Sequence, residues 1–192
     1  MNSDGERAKA ALARVGLVLD DVYDILNIRK RSPEVIEILI GLLGDAIKDP
    51  RVKEGVVRGL ATREARGKAG PSLIKEFDRT PRSEFALRWV IGNSVDVVMT
   101  DDLVSEVARI VTDKSNGKAR EMFVLALGKI RSDIAEQTLL TLLDDDEVVA
   151  HAVIALGKMR SRRATEPIKR LLEHPRALVR KEAKRALERI QK

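Results

Sequence analysis

Ala126-Leu127-Gly128, Ala155-Leu156-Gly157 and Ala186-Leu187-Glu188 are three copies of one triplet, and reading outward from them decides the fold. Each triplet sits near the end of a run whose apolar residues recur at three- and four-residue steps, the period of a helix with one buried face. Upstream, Leu60 and Ile91 hold the place of the central Leu. The five positions, 60, 91, 127, 156 and 187, are separated by 31, 36, 29 and 31 residues. A unit of about thirty residues that contains two helices cannot bury its apolar face alone, but a stack of such hairpins can. The expected fold is therefore all-α: a right-handed α-α superhelix, a helical-repeat solenoid of about five hairpins over residues 33–192. Residues 1–32 are expected to form an N-terminal helical cap.

The rest of the chain is consistent with this unit. Arg7 to Lys30 has helical periodicity, divided at Gly16 or at Asp20-Asp21. Ser32-Pro33 opens a helix that is expected to run towards Asp49-Pro50, with Ser as cap and Pro in the first turn. Its partner spans Arg51 to about Ala65. Further pairs are expected at 72–80 with 83–99, 101–112 with 118–130, 134–143 with 147–159, and 165–173 with 176–191. The spacing of 36 marks an irregular repeat around residues 92–115. Asp144-Asp145-Asp146 is expected to supply a turn and a helix cap.

Ala119 to Ile130 and Arg180 to Ile190 resemble the second helix of HEAT-like repeats of the phycobilisome-lyase type. Asp49-Pro50-Arg51-Val52-Lys53 and the stretch from His174 to Arg180 resemble the entry turn of that repeat. The likeness is strongest over 117–192, weaker over 33–100, and does not reach residues 1–30. It implies a fold shared by scaffolds, regulators and a few enzymes, in which the second helices line the concave side. It also allows a lyase or chaperone-like role, for which these residues hold no particular support.

With the central Leu or Ile as position zero, positions −8, −4, −1, 0 and +3 are largely apolar or small and form the expected core stripe. Positions −6, −2 and +2 then face outward, where a partner would be read. Lys129, Lys158 and Arg189 hold +2 in successive repeats, a basic ladder with steps of roughly 10 Å if the helices pack normally. Phe85 and Trp89 hold −6 and −2 of the irregular repeat, in a chain with only five aromatics. Arg58 holds −2 one repeat earlier. The expected partner-binding residues are Arg58, Arg88, Trp89, Asn93, Lys129 and Lys158. Glu54 with Arg58 and Glu84 with Arg88 form i,i+4 pairs that support their helices.

Composition bounds the function. Hydrophobic residues make up 44% of the 192 and aromatics 3%, a palette for packed helices rather than sheets. There is no cysteine, hence no disulfide or thiolate site, and a cytoplasmic setting is expected. Arg7, Lys9 and Arg14 interrupt the N-terminal apolar positions, and no apolar run approaches the roughly 18 residues of a membrane span. His151 and His174, the only histidines, are expected at the surface. No His-Glu pair of the kind a HEAT-like di-iron hydroxylase needs is present, nor any phosphate loop, nucleophile elbow or zinc spacing. The expectation is a non-enzymatic scaffold without cofactor or metal, whose partner is another protein with an acidic surface. The alternative is nucleic-acid binding by the basic end, since residues 158–192 hold 13 Lys+Arg against 4 Asp+Glu within a net charge of +6. With one Trp and one Tyr, base stacking of the kind HEAT-like DNA glycosylases use is disfavoured. Oligomeric state is left open by the sequence.

Overall fold

The structure is a computed structural model that describes residues 3–191, except for the side chain of Asp45. Every regular element among them is helical. The chain forms two compact units, residues 1–98 and 99–192.

In the first unit, α1 (Ser3–Ala13) ends before Gly16, whose φ of 81° breaks the helix. The chain is broken at both of the alternative places, Gly16 and Asp20-Asp21, and its second half is a 3₁₀ segment, Val22–Asn27, not an α-helix. Asp21 caps it by accepting from the Tyr23 N–H at 2.9 Å, and Asp24 accepts from the Asp21 N–H at 2.8 Å. Ser32 caps α2 (Pro33–Leu42), with Pro33 in the first turn. The helix stops well short of Asp49 because Gly44 adopts φ 83°. Asp49 caps α3 (Pro50–Leu60), and α4 (Gly70–Arg79) and α5 (Phe85–Val98) follow. Helix α2 packs on α3, α4 on α5, and α3 on α5.

The second unit repeats the plan. Its helices are α6 (Val104–Thr112), α7 (Glu121–Leu127), α8 (Asp133–Thr141), α9 (Val149–Met159), α10 (Thr165–Arg170) and α11 (Ala177–Ile190). They pair as α6 with α7, α8 with α9 and α10 with α11, while the second helices stack as α7 on α9 on α11. Each unit is thus built as a helical-repeat solenoid is built. The long spacing between Ile91 and Leu127 contains, besides α6, 3₁₀ segments at Asp101–Leu103 and Lys114–Arg120. The expected core stripe is buried in the two central repeats of this unit, Ala119, Phe123, Ala126, Leu127 and Ile130 on one and Val148, Ala152, Ala155, Leu156 and Met159 on the next, whereas Leu187 and Ile190 of the last repeat are half-buried.

The triplet has a direct physical cause. A Cβ placed on Gly128 would lie 2.7 Å from Ala155 Cα, and one on Gly157 would lie 2.8 Å from Ala186 Cα. The glycine of each triplet therefore seats against the alanine of the next, and a side chain at either glycine would collide with backbone.

The three aspartates at 144–146 do something the sequence did not suggest. Asp145 is buried and binds Arg120, whose side chain is 0% exposed, at 2.7 Å. Arg120 also donates to Glu147 at 2.8 Å, to Val111 O at 3.0 Å and to Gly117 O at 2.9 Å. Helix α9 begins without a side-chain cap. Burial opposes ionisation of Asp145, but the Arg120 hydrogen bond and the Glu147 N–H outweigh it and hold the carboxyl below its usual range.

Gly128→Ala or Gly157→Ala should cost about 1–3 kcal/mol in urea unfolding. Gly41→Ala, where a Cβ meets nothing within 4 Å, should gain up to about 1 kcal/mol from helix propensity. Asp145→Ala should cost about 1–3 kcal/mol at pH 7, because buried Arg120 loses its buried carboxylate and keeps only the more exposed Glu147. Because the folded pKa is depressed, the wild-type advantage is full above the unfolded carboxylate value of about 4 and is lost as pH falls through the folded value. Urea curves of both proteins should therefore converge on acidification.

Candidate partner-binding face

The second helices bury one stripe and leave the opposite side for contact. In the first unit, Arg58 stands half-exposed on α3, its Nε donating to Glu54 at 2.8 Å. On α5, Phe85 is the first helical residue and is 48% exposed, while Trp89 and Asn93 are half-buried one and two turns later. Arg58, Phe85, Trp89 and Asn93 thus lie on two helices packed against each other.

Arg88 does not belong with them. It is 5% exposed, and its Nη1 donates to Phe77 O at 2.9 Å and Thr80 O at 2.6 Å. Its guanidinium carbon lies 3.8 Å from the centroid of the Phe77 ring. The last carbonyls of α4 lack partners within their helix, and a cation at a helix C-terminus satisfies both their hydrogen bonds and the helix dipole. That need draws Arg88 inward, so its expected place on a binding surface is corrected: it clasps α5 to the end of α4.

In the second unit, Lys129 follows the end of α7, Lys158 is in the last turn of α9 and Arg189 in the last turn of α11, all three exposed. The stacking of α7, α9 and α11 puts them at equivalent helix ends. Part of their presence is explained locally, since each sits where a helix dipole favours positive charge.

The histidines are less exposed than the sequence suggests. His151, on α9, is half-buried, and its Nδ1 is buried without a hydrogen-bond partner. Burial pushes its pKa down, Glu121 opposes the shift and Arg176 adds to it. His174 accepts from the Arg176 N–H at 3.1 Å, and its Nε2 lies 3.6 Å from Asp146. Among the described residues no group of three or more His, Asp or Glu is placed to hold a metal ion.

The sequence reading missed a cleft. Beside the cation row, Arg131, Asp133, Glu136, Met159, Arg160, Arg162 and Ile190, with Ser132 and Ser161, line an open depression of about 700 Å³. The signal was present. Gly128-Lys129-Ile130-Arg131-Ser132 recurs as Gly157-Lys158-Met159-Arg160-Ser161, and a reading confined to position +2 stops two residues before the arginine.

A family model described as HEAT repeats matches residues 136–192, from within α8 to the end of the chain. No curated protein matches the chain.

Arg88→Met should lower stability by about 2–4 kcal/mol in thermal or urea unfolding, because two carbonyls lose their donor. Arg58→Ala should change it by less than about 1 kcal/mol, as for other partly exposed ion pairs. Equal effects of the two would overturn the clasp.

Proposed function

We propose that this protein is a non-enzymatic scaffold or regulator of the cytoplasm that binds another protein on the outward face of its second helices. The observation that carries this reading is Phe85, 48% exposed one helical turn from the half-buried Trp89. A chain with five aromatics that leaves one on a helix surface beside its only Trp has the makings of a binding hot spot, where aromatic residues dominate the energy. HEAT repeats are generally protein-interaction scaffolds, which supports the class of function. Arg58 and Asn93 supply polar contacts around the aromatic pair, and Lys129 and Lys158 favour a partner with an acidic surface. A net charge of +6 would speed the encounter with such a partner more than it would hold the complex.

The test is recovery of partners from lysate on the purified protein, with and without nuclease and at two salt concentrations. A protein partner should survive nuclease, and Phe85→Ala or Trp89→Ala should reduce its recovery by about tenfold or more, as expected of a hot spot. The helical circular dichroism and melting temperature of Phe85→Ala should stay those of the wild type. Recovery of nucleic acid alone, lost at the higher salt, would replace this reading with binding by the basic end. A large drop in stability on Trp89→Ala would make Trp89 a core residue.

A further inference from the structure

The cleft in the second unit has three features that the outward face does not explain. First, Arg131, Arg160 and Arg162 line it, all exposed, and none of their guanidinium groups makes a hydrogen bond or ion pair with the described residues. The carboxylates beside them are already engaged. Ser161 Oγ donates to Glu136 at 2.6 Å, and Arg163 reaches Glu136 at 3.2 Å and Asp133 at 3.5 Å. The cleft therefore offers three cations whose charge is not spent internally.

Second, Arg160 has φ 56° and ψ 43°, and it is the one non-glycine residue at positive φ among those described. It closes α9 in a turn where Ser161 N–H reaches back to Leu156 O at 3.1 Å. Glycine is the usual occupant of that position, because a Cβ there crowds the following carbonyl. The near-identical sequence at 128–132 makes its turn with no left-handed residue at Arg131. A residue that strains its own backbone and leaves its charge unpaired is a poor choice for stability alone.

Third, the floor is mixed. Met159 and Ile190 supply apolar surface beside the arginines, and there is no aromatic ring. A nucleic-acid backbone gains most from a continuous row of unopposed cations with rings for its bases. The lining of this cleft instead combines cations, carboxylates and apolar side chains. Its volume of about 700 Å³ lies within the usual range of ligand clefts.

We propose that this cleft docks an acidic segment of the partner protein, with Arg131, Arg160 and Arg162 receiving its carboxylates and Met159 and Ile190 receiving an apolar side chain between them. The proposal rests on the protein-binding reading above and gives that partner a second, charge-read contact. Carboxylates pair with guanidinium groups in two-pronged fashion, and Asp133 and Glu136 retain lone pairs for backbone N–H groups of the segment.

The test is fluorescence anisotropy on the full chain with three labelled probes: an acidic peptide of alternating Glu and Leu-Glu units, the same peptide with Gln for Glu, and a single-stranded oligonucleotide of equal charge. The acidic peptide should bind with one-to-one saturation and the Gln peptide should not. Replacing Arg131, Arg160 and Arg162 by Gln should weaken binding by about tenfold or more, since a charged hydrogen bond contributes about that much. Replacing Arg170, Lys181 and Lys184 by Gln, exposed cations outside the cleft, should change it less than about threefold at moderate salt, where distant charges are screened. Arg160→Gly should raise the melting temperature while weakening the peptide. Absence of saturable binding, equal losses in both triple variants, tighter binding of the oligonucleotide, or a lowered melting temperature in Arg160→Gly would each overturn the proposal. If a lysate partner is lost on Phe85→Ala but kept by the cleft variant, the scaffold reading stands and the cleft assignment falls.

Discussion

The absence of a side chain at Gly128 and Gly157 sets the spacing on which the second unit depends. Each glycine lies where a Cβ would stand under 3 Å from the next second helix, so the two backbones meet almost without an intervening layer. Once that contact is made, the register of every other residue on these helices is determined. Phe123, Leu127 and Leu156 must point to the shared interior, and lysines at the following positions must emerge at matching helix ends. A core closed this tightly has little room for rings, which agrees with the low aromatic content.

A second theme is the use of arginine as an internal fastener. Arg88 and Arg120 are both buried, and both spend their donors on carbonyls at the ends of neighbouring segments, Phe77 and Thr80 in one case, Val111 and Gly117 in the other. The planar guanidinium suits this work because it can reach several acceptors at once while its stem packs among apolar residues. Formal charge therefore overstates the cationic surface of the chain. What matters for association is the smaller set of basic groups left unspent, of which Arg131, Arg160 and Arg162 share one cleft.

The sequence was most legible where a physical rule acts along the chain. Helical period exposed the stripe from Ala119 to Ile130, and Ser32-Pro33 announced a helix start, where the Ser32 hydroxyl accepts from the Val35 N–H. It was less legible where a residue's role depends on what lies across a gap. Nothing near Arg88 says that the end of α4 will need its donors, and the aspartates at 144–146 look like a cap until Arg120 arrives from another repeat. The same holds for His151, whose neighbours Ala150 and Ala152 do not reveal how deeply the face is covered. Short 3₁₀ segments cannot be told from α-helix by period alone, because both place apolar residues at similar steps. Arg160 is the sharpest case, since the same five-residue pattern yields two different turns.

The third copy of the triplet carries Glu188 where the first two carry glycine, and Glu188 is exposed. At that position a flexible chain ending in a carboxylate stands where Gly128 and Gly157 leave backbone bare. An arriving helix, from another molecule for instance, could not settle into the register used inside the unit without displacing that side chain and stripping water from its charge. The close backbone register is therefore confined to the α7–α9 and α9–α11 contacts, and the third triplet keeps the helical stripe without the bare backbone that makes such a contact.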